Sequence, residues 1–209
     1  MKVSSNSEIT LVTLAPLTNI AQAIIENPEI MKKTKEIIMM AGAIRVPGNK
    51  NRVAEFNVFV DPEAADIVFK FPVKKTIVPL DACNDVRLGL EDFERIRNPI
   101  LREAMLKMMK PYIDNINIYE GVKGALVYDA LAVYYILNPD SCIKKDYNIL
   151  IETKSDLTRG MTVADLRNIK EDLPNVAVVE NIKEEDFKRD FIEILSKETL
   201  INKEKNNEN

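Results

Sequence analysis

The sequence predicts an α/β protein with an open, mixed, mostly parallel sheet flanked by helices. Two observations carry this. Short runs rich in apolar and β-branched residues alternate along the chain with segments of helical periodicity, the pattern of strands joined through covering helices. One of those runs, "EIIMMAGA", is also near-continuously apolar, as a buried strand is.

In chain order, "EITLVTLA" (8–15) reads as a strand, and a helix follows over 16–26. "EIIMMAGA" (36–43) is a buried strand ending in small residues, and the polar stretch 45–52 is a loop. Asp61 and Pro62 mark a helix start: the aspartate caps free backbone N–H groups, and proline loses nothing at a position whose N–H has no helical partner. A strand over 74–82 follows, then two helices within 90–120 that join near Asn98 and Pro99. The segment 125–139 is helical up to its proline, 147–154 and 175–181 are strands, and 184–200 is an amphipathic terminal helix. These elements form one domain over 1–200, with 201–209 a frayed polar tail.

Composition narrows the function classes. The chain has 209 residues, 46% of them hydrophobic and 30% charged, enough for one sizeable core. A net charge of -4 with no dense Lys/Arg face argues against a nucleic-acid partner. No apolar run reaches the roughly 20 residues that cross a bilayer, and the first residues have no apolar signal core, so a cytoplasmic location is expected. Cys83 and Cys142 form neither a disulfide framework nor a paired metal motif. Histidine is absent, which removes the commonest general acid/base and the commonest zinc ligand.

Open α/β sheets bind ligands beyond the carboxyl ends of their strands. Polar residues gather there in four clusters: around Leu14 with Thr18 and Asn19, from Asn49 to Asn57, from Asp81 to Asp85, and at Tyr128 with Asp129. None is a glycine-rich phosphate loop, so an uncharged ligand is expected, held by carboxylates, carboxamides and carbonyls that suit sugar hydroxyls and a hard cation. Taken alone, Asp81 is either a strand-end residue that binds backbone N–H groups or a pocket residue. Asp129, an acid on an apolar helix, needs a partner or a metal. Arg159 pairs with a carboxylate or caps a turn.

Six segments in order, "ITLVTLAPLTNIA", "IIMMAGAIRVPGN", "AEFNVFVDPEAADIVF", "VPLDACNDV", "VYDALAVYYILNP" and "ETKSDLTRGMTV", resemble the inosine/uridine-preferring nucleoside hydrolases. The resemblance runs from about Glu8 to Ser196 and implies a Rossmann-like core. It also implies cleavage of the N-glycosidic bond of purine or pyrimidine ribonucleosides to ribose and free base by a calcium-bound water. By the same resemblance, Asp129 and the backbone carbonyl of Leu14 are calcium ligands. Asn49, Glu55 and Asn57 grip the ribose hydroxyls, Met40 lines the sugar site, and Asn84 stands at the pocket edge. Tyr128 occupies the place of a histidine and either protonates the leaving base or stacks on it.

The family's aspartate-rich opening motif, D-T-D-x-G-x-D-D, which supplies further calcium ligands and the base for the water, has no counterpart in this sequence. The expectation is therefore a domain truncated at its amino terminus and short of central strands. Its full Ca²⁺ site requires the missing aspartates. Such a chain, inactive alone, pairs with itself as a homo-oligomer or with a separate amino-terminal fragment. The alternative is a non-catalytic remnant of the fold that binds a nucleoside or a partner.

Overall fold

The computed structural model describes residues 9–120, 123–167 and 173–197, except the side chains of 119 and 120. The expected tail over 201–209 lies outside the described residues. Seven strands are present among them: β1 (Thr10–Thr13), β2 (Glu36–Met40), β3 (Lys75–Val78), β4 (Cys142–Tyr147), β5 (Ile149–Ile151), β6 (Thr162–Ala164) and β7 (Val176–Ile182). The helices are α1 (Thr18–Glu26), α2 (Pro28–Met31), α3 (Phe56–Val60), α4 (Pro62–Lys70), α5 (Leu80–Cys83), α6 (Leu90–Glu94), α7 (Pro99–Glu120), α8 (Tyr128–Leu137) and α9 (Glu184–Ser196). A single 3₁₀ turn covers Pro139–Ser141.

These elements fall into two compact units, Met1–Asp85 with Tyr128–Ile182, and Val86–Val127 with Lys183–Asn209. In the first, five strands form a sheet in the order β1-β2-β3-β7-β4. The β1-β2, β2-β3 and β3-β7 pairs are parallel and β4 runs antiparallel to β7. The mixed, mostly parallel sheet read from the sequence is thus present. All five residues of β2 and all four of β3 are buried, as parallel strands covered on both faces require. Successive side chains alternate between faces. Ile37, Met39 and Ile77 join one hydrophobic cluster with Leu17, Ala21, Val68 and Phe69 of the α1 and α4 regions, while α8 packs against β2 and β3. Fully burying one such large apolar side chain contributes about 1.5–3 kcal/mol.

The two sheet edges are built differently. β4 carries Lys144, Lys145 and Asp146 and an irregular register between Ile143 and Lys144, features that discourage a further strand from pairing. β1 carries no charged residue, and Val12 there is 38% exposed. β4 and the three-residue β6 escape the sequence reading because one is charged along its length and the other is too short to show a period. A separate two-stranded sheet, β5-β6, packs Ile149 and Ile151 into the same cluster as α4. In the second unit, α6 packs on α7 and α9, and the helix join falls at Asn98 and Pro99 as read, with Asn98 Oδ1 accepting from the N–H groups of Ile100 and Leu101.

Candidate functional site

Ile44 and Arg45 turn back because their N–H groups donate to the two carboxylate oxygens of Asp81, at 2.8 and 2.7 Å. Asp81 thereby takes the backbone-binding role. The following loop folds on itself: the Gly48 N–H donates to Arg52 O and Lys50 N–H to Ala54 O. A side chain at Gly48 would meet Ala54 O at 2.2 Å, so only glycine permits this approach. Asn49 Oδ1 accepts from Phe56 N–H at 2.8 Å, which ties the loop to the start of α3.

At that start stands Glu55, which is 1% exposed and serves as the N-cap of α3. Its Oε1 accepts from Asn57 N–H at 2.8 Å, and its Oε2 from Val58 N–H and Gly42 N–H, each at 3.2 Å. Three donors converge on one carboxylate, which offers about four lone-pair directions. Burial nonetheless raises the Glu55 pKa, the backbone bonds oppose the rise, and the charge of Asp129 adds to it. The Asn57 side chain is also buried and donates to Met40 O at 2.9 Å, with Met40 Sδ at 3.4 Å. The amide is thus fixed to the end of β2 through its nitrogen, leaving the Oδ1 oxygen out of these bonds.

α8 begins at Tyr128, so Asp129 lies in its first turn, where helix N–H groups favour negative charge. Crowding around the carboxyl still desolvates it enough to raise its pKa, although the residue as a whole is exposed. Among the described residues Asp129 makes no ion pair.

A cavity of about 360 Å³ opens between these elements, lined by Leu14, Ala15, Pro16, Met40, Asn49, Glu55, Phe56, Asn57, Tyr128 and Asp129. It sits beyond the carboxyl ends of β1 and β2. Seven of the residues singled out in the sequence line it together: Leu14, Met40, Asn49, Glu55, Asn57, Tyr128 and Asp129. Asn84, at the C-terminal end of α5, is not among its lining residues. The sequence reading missed Phe56, whose half-exposed ring forms part of the wall. A large apolar side chain between two polar ones ahead of a helix cap is the signal that could have found it.

Calcium takes 6–8 oxygens. Among the described residues no group of three or more His, Cys, Asp or Glu side chains could hold a metal ion. The Asp129 carboxylate and the Leu14 carbonyl are oxygen donors on one cavity, but they do not amount to a coordination shell. No helix among the described residues is long and apolar enough to cross a membrane.

Known proteins show what the arrangement resembles. A pyrimidine-specific ribonucleoside hydrolase, RihA, from Shewanella sp. (strain ANA-3) is 38% identical over 188 residues, covering 88% of this chain and 58% of that protein. A purine-preferring ribonucleoside hydrolase from Gardnerella vaginalis superposes with a TM-score of 0.82 at 26% identity, over 91% of this chain and 61% of the other. The plant nucleoside hydrolase PpNRh1 shares the fold, with a TM-score of 0.84 at 24% identity over 93% of this chain and 64% of the other. This chain therefore spans less than two thirds of the length of these relatives. The statistical profile of one family, inosine-uridine preferring nucleoside hydrolase, matches residues 1–189, and the chain belongs to that family.

Proposed function

We propose that this chain supplies the sugar-binding part of a ribonucleoside hydrolase centre, which cleaves the N-glycosidic bond to give ribose and a free base. The observation that carries the reading is the meeting, in one cavity, of Asn49, Glu55, Asn57, Tyr128 and Asp129 from two separate stretches of chain. The names of the similar proteins, ribonucleoside hydrolases, support it.

Each group has a physical part. Glu55 keeps an acceptor direction beyond its three N–H bonds, and the Oδ1 of Asn57 and the amide nitrogen of Asn49 stay outside the bonds that fix those side chains. A sugar hydroxyl can donate to the first two and accept from the third. Carboxylates beside the ring also favour the positive charge that develops on the sugar as the glycosidic bond breaks. Tyr128 borders the cavity where it can stack on the base or donate to it, and Phe56 supplies an apolar wall. Calcium, when bound, would activate the attacking water. Leu14 O and Asp129, which both line the cavity, would provide two of its ligands.

A second reading, a cavity that binds a nucleoside without cleaving it, is favoured by the incomplete set of metal-capable side chains. One experiment separates the two. The purified chain is titrated with ribose and inosine by calorimetry, and base release from inosine and uridine is followed by absorbance with and without Ca²⁺. Saturable sugar binding with calcium-dependent release supports the hydrolase; binding without release supports the second reading. Absence of ribose or inosine binding, with the chain cooperatively folded, would overturn both.

A further inference from the structure

The segment "ETKSDLTRGMTV" has had no part in the site so far. It forms the turn between β5 and β6, and it closes tightly on itself. Gly160 N–H donates to Glu152 O at 2.7 Å, Glu152 N–H to Met161 O at 3.0 Å, and Met161 N–H to Thr158 O at 2.9 Å. Arg159 donates to Thr153 O within the turn and to Glu63 in the first turn of α4, the latter at 2.7 Å.

This closed turn presses on the backbone that presents Glu55. Gly160 has φ +81, and a Cβ placed on it would lie 2.8 Å from Phe59 Cα and 3.3 Å from Ala54 Cβ. Ala54 precedes Glu55 in the chain, and the Phe59 N–H donates to Glu55 O at 2.9 Å. On the next strand Thr162, 1% exposed, packs on Gly42, where an added Cβ would meet Thr162 Oγ1 at 3.0 Å and Cγ2 at 3.2 Å. Gly42 is the third N–H donor to the Glu55 carboxylate. The hairpin thus touches the residue before Glu55, the first α3 residue whose N–H reaches the Glu55 carbonyl, and a donor to its side chain. Thr162 buries its hydroxyl without a partner among the described residues. Such a group costs stability unless it is hydrogen-bonded, so its shape rather than its polarity is what the contact with Gly42 uses.

We propose that the β5-β6 hairpin positions the sugar clamp, with Gly160 and Thr162 as the positioning residues that hold Gly42 and the first turn of α3 around the Glu55 carboxylate. Without a Cβ, Gly160 lets the turn approach the α3 backbone; Thr162 fills the space behind Gly42. The hairpin itself touches no ligand. The consequence for sugar affinity rests on the ribonucleoside reading above, but the consequence for the Glu55 bonds does not.

The test uses amide hydrogen exchange, read by NMR on the full chain, together with inosine as substrate. In Gly160→Ala, exchange at Asn57 and Val58 should quicken by about tenfold relative to amides of β2 and β3, since a left-handed non-glycine residue and a backbone collision must both be relieved. Gly124→Ala, which strains a glycine of φ +95 in the other unit, should leave that ratio unchanged. Thr162→Ala should quicken exchange at Gly42 and Asn57, and Thr162→Val, of the same shape, should restore it. Where inosine is turned over, Gly160→Ala and Thr162→Ala should lower kcat/KM, and Thr162→Val should not. Equal quickening of all amides in Gly160→Ala and Gly124→Ala, or identical behaviour of Thr162→Ala and Thr162→Val, would overturn the proposal. If Gly160→Ala does not fold, the Thr162 pair decides it. If wild-type protein neither binds nor cleaves inosine, the functional reading fails while the exchange comparison still stands or falls on its own.

Discussion

Two carboxylates six positions apart, Glu55 and Asp61, begin consecutive helices, and they do so in different ways. Asp61 follows the ordinary rule: its Oδ1 accepts from Ala64 N–H at 3.0 Å, proline follows it, and its other oxygen accepts from Thr18 Oγ1 at 2.5 Å. Glu55 caps α3 from a buried position, draws its third donor from the end of another strand, and borders the cavity with its charge opposed by burial and by Asp129. A cap that only starts a helix can be short and partly exposed, even where it also takes a distant bond such as that from Thr18. One that also borders a cavity is longer and buried, and its environment makes its charge costly. The difference shows how tertiary burial turns a stabilising motif into part of a cavity wall.

Substitution should separate the two. Glu55→Ala strands three backbone N–H groups, so it should lower unfolding free energy by about 3 kcal/mol in denaturant titrations and abolish ribose binding in calorimetry. Asp129→Asn tests the coupling. Glu55 has a folded pKa above its unfolded value, so in that window the folded state binds more protons; stability from this group falls as pH rises through the window and is gained as pH falls. Removing the Asp129 charge should shift the Glu55 titration midpoint downward, read by ¹³C NMR of its carboxyl carbon, and should shrink the gain on acidification. An unchanged midpoint would place the two charges in separate environments.

Asp61→Ala should cost only about 1 kcal/mol and leave ribose affinity as it was. A loss of affinity equal to that of Glu55→Ala would erase the contrast between the caps. Least of all, Thr18→Val removes one exposed hydroxyl bond and should change stability by about 0.5 kcal/mol, measured in the same titrations.

Much of this was legible beforehand. The parallel strands β2 and β3 announced themselves as apolar runs, and the Asp-Pro signal placed α4 at its true start. Tyr128 and Asp129 were read as part of one helix, and that helix ends before Pro139 as expected. α3 was not legible. Five residues are too few for a helical period, and glutamate is not a favoured N-cap type, so "EFN" gave no local sign of a helix start. The clusters holding Asn49, Glu55, Asn57 and Asp129 could be placed beyond strand ends from pattern, but their individual roles came only through resemblance, because nothing local marks a buried carboxylate that lies 74 positions before its neighbour in charge.

The amino-acid sequence by itself determined the layered α/β plan, the principal strands and helices, and which polar residues fall beyond strand ends, since periodicity and turn chemistry act over a few residues. Only the tertiary structure decided that Glu55 is a cap as well as a cavity wall, that Asn57 is pinned to the end of β2, and that Gly160, more than a hundred positions away, meets the chain on either side of Glu55. Those outcomes depend on hydrogen-bond donors and packing surfaces brought together across long separations, where no local pattern records the meeting.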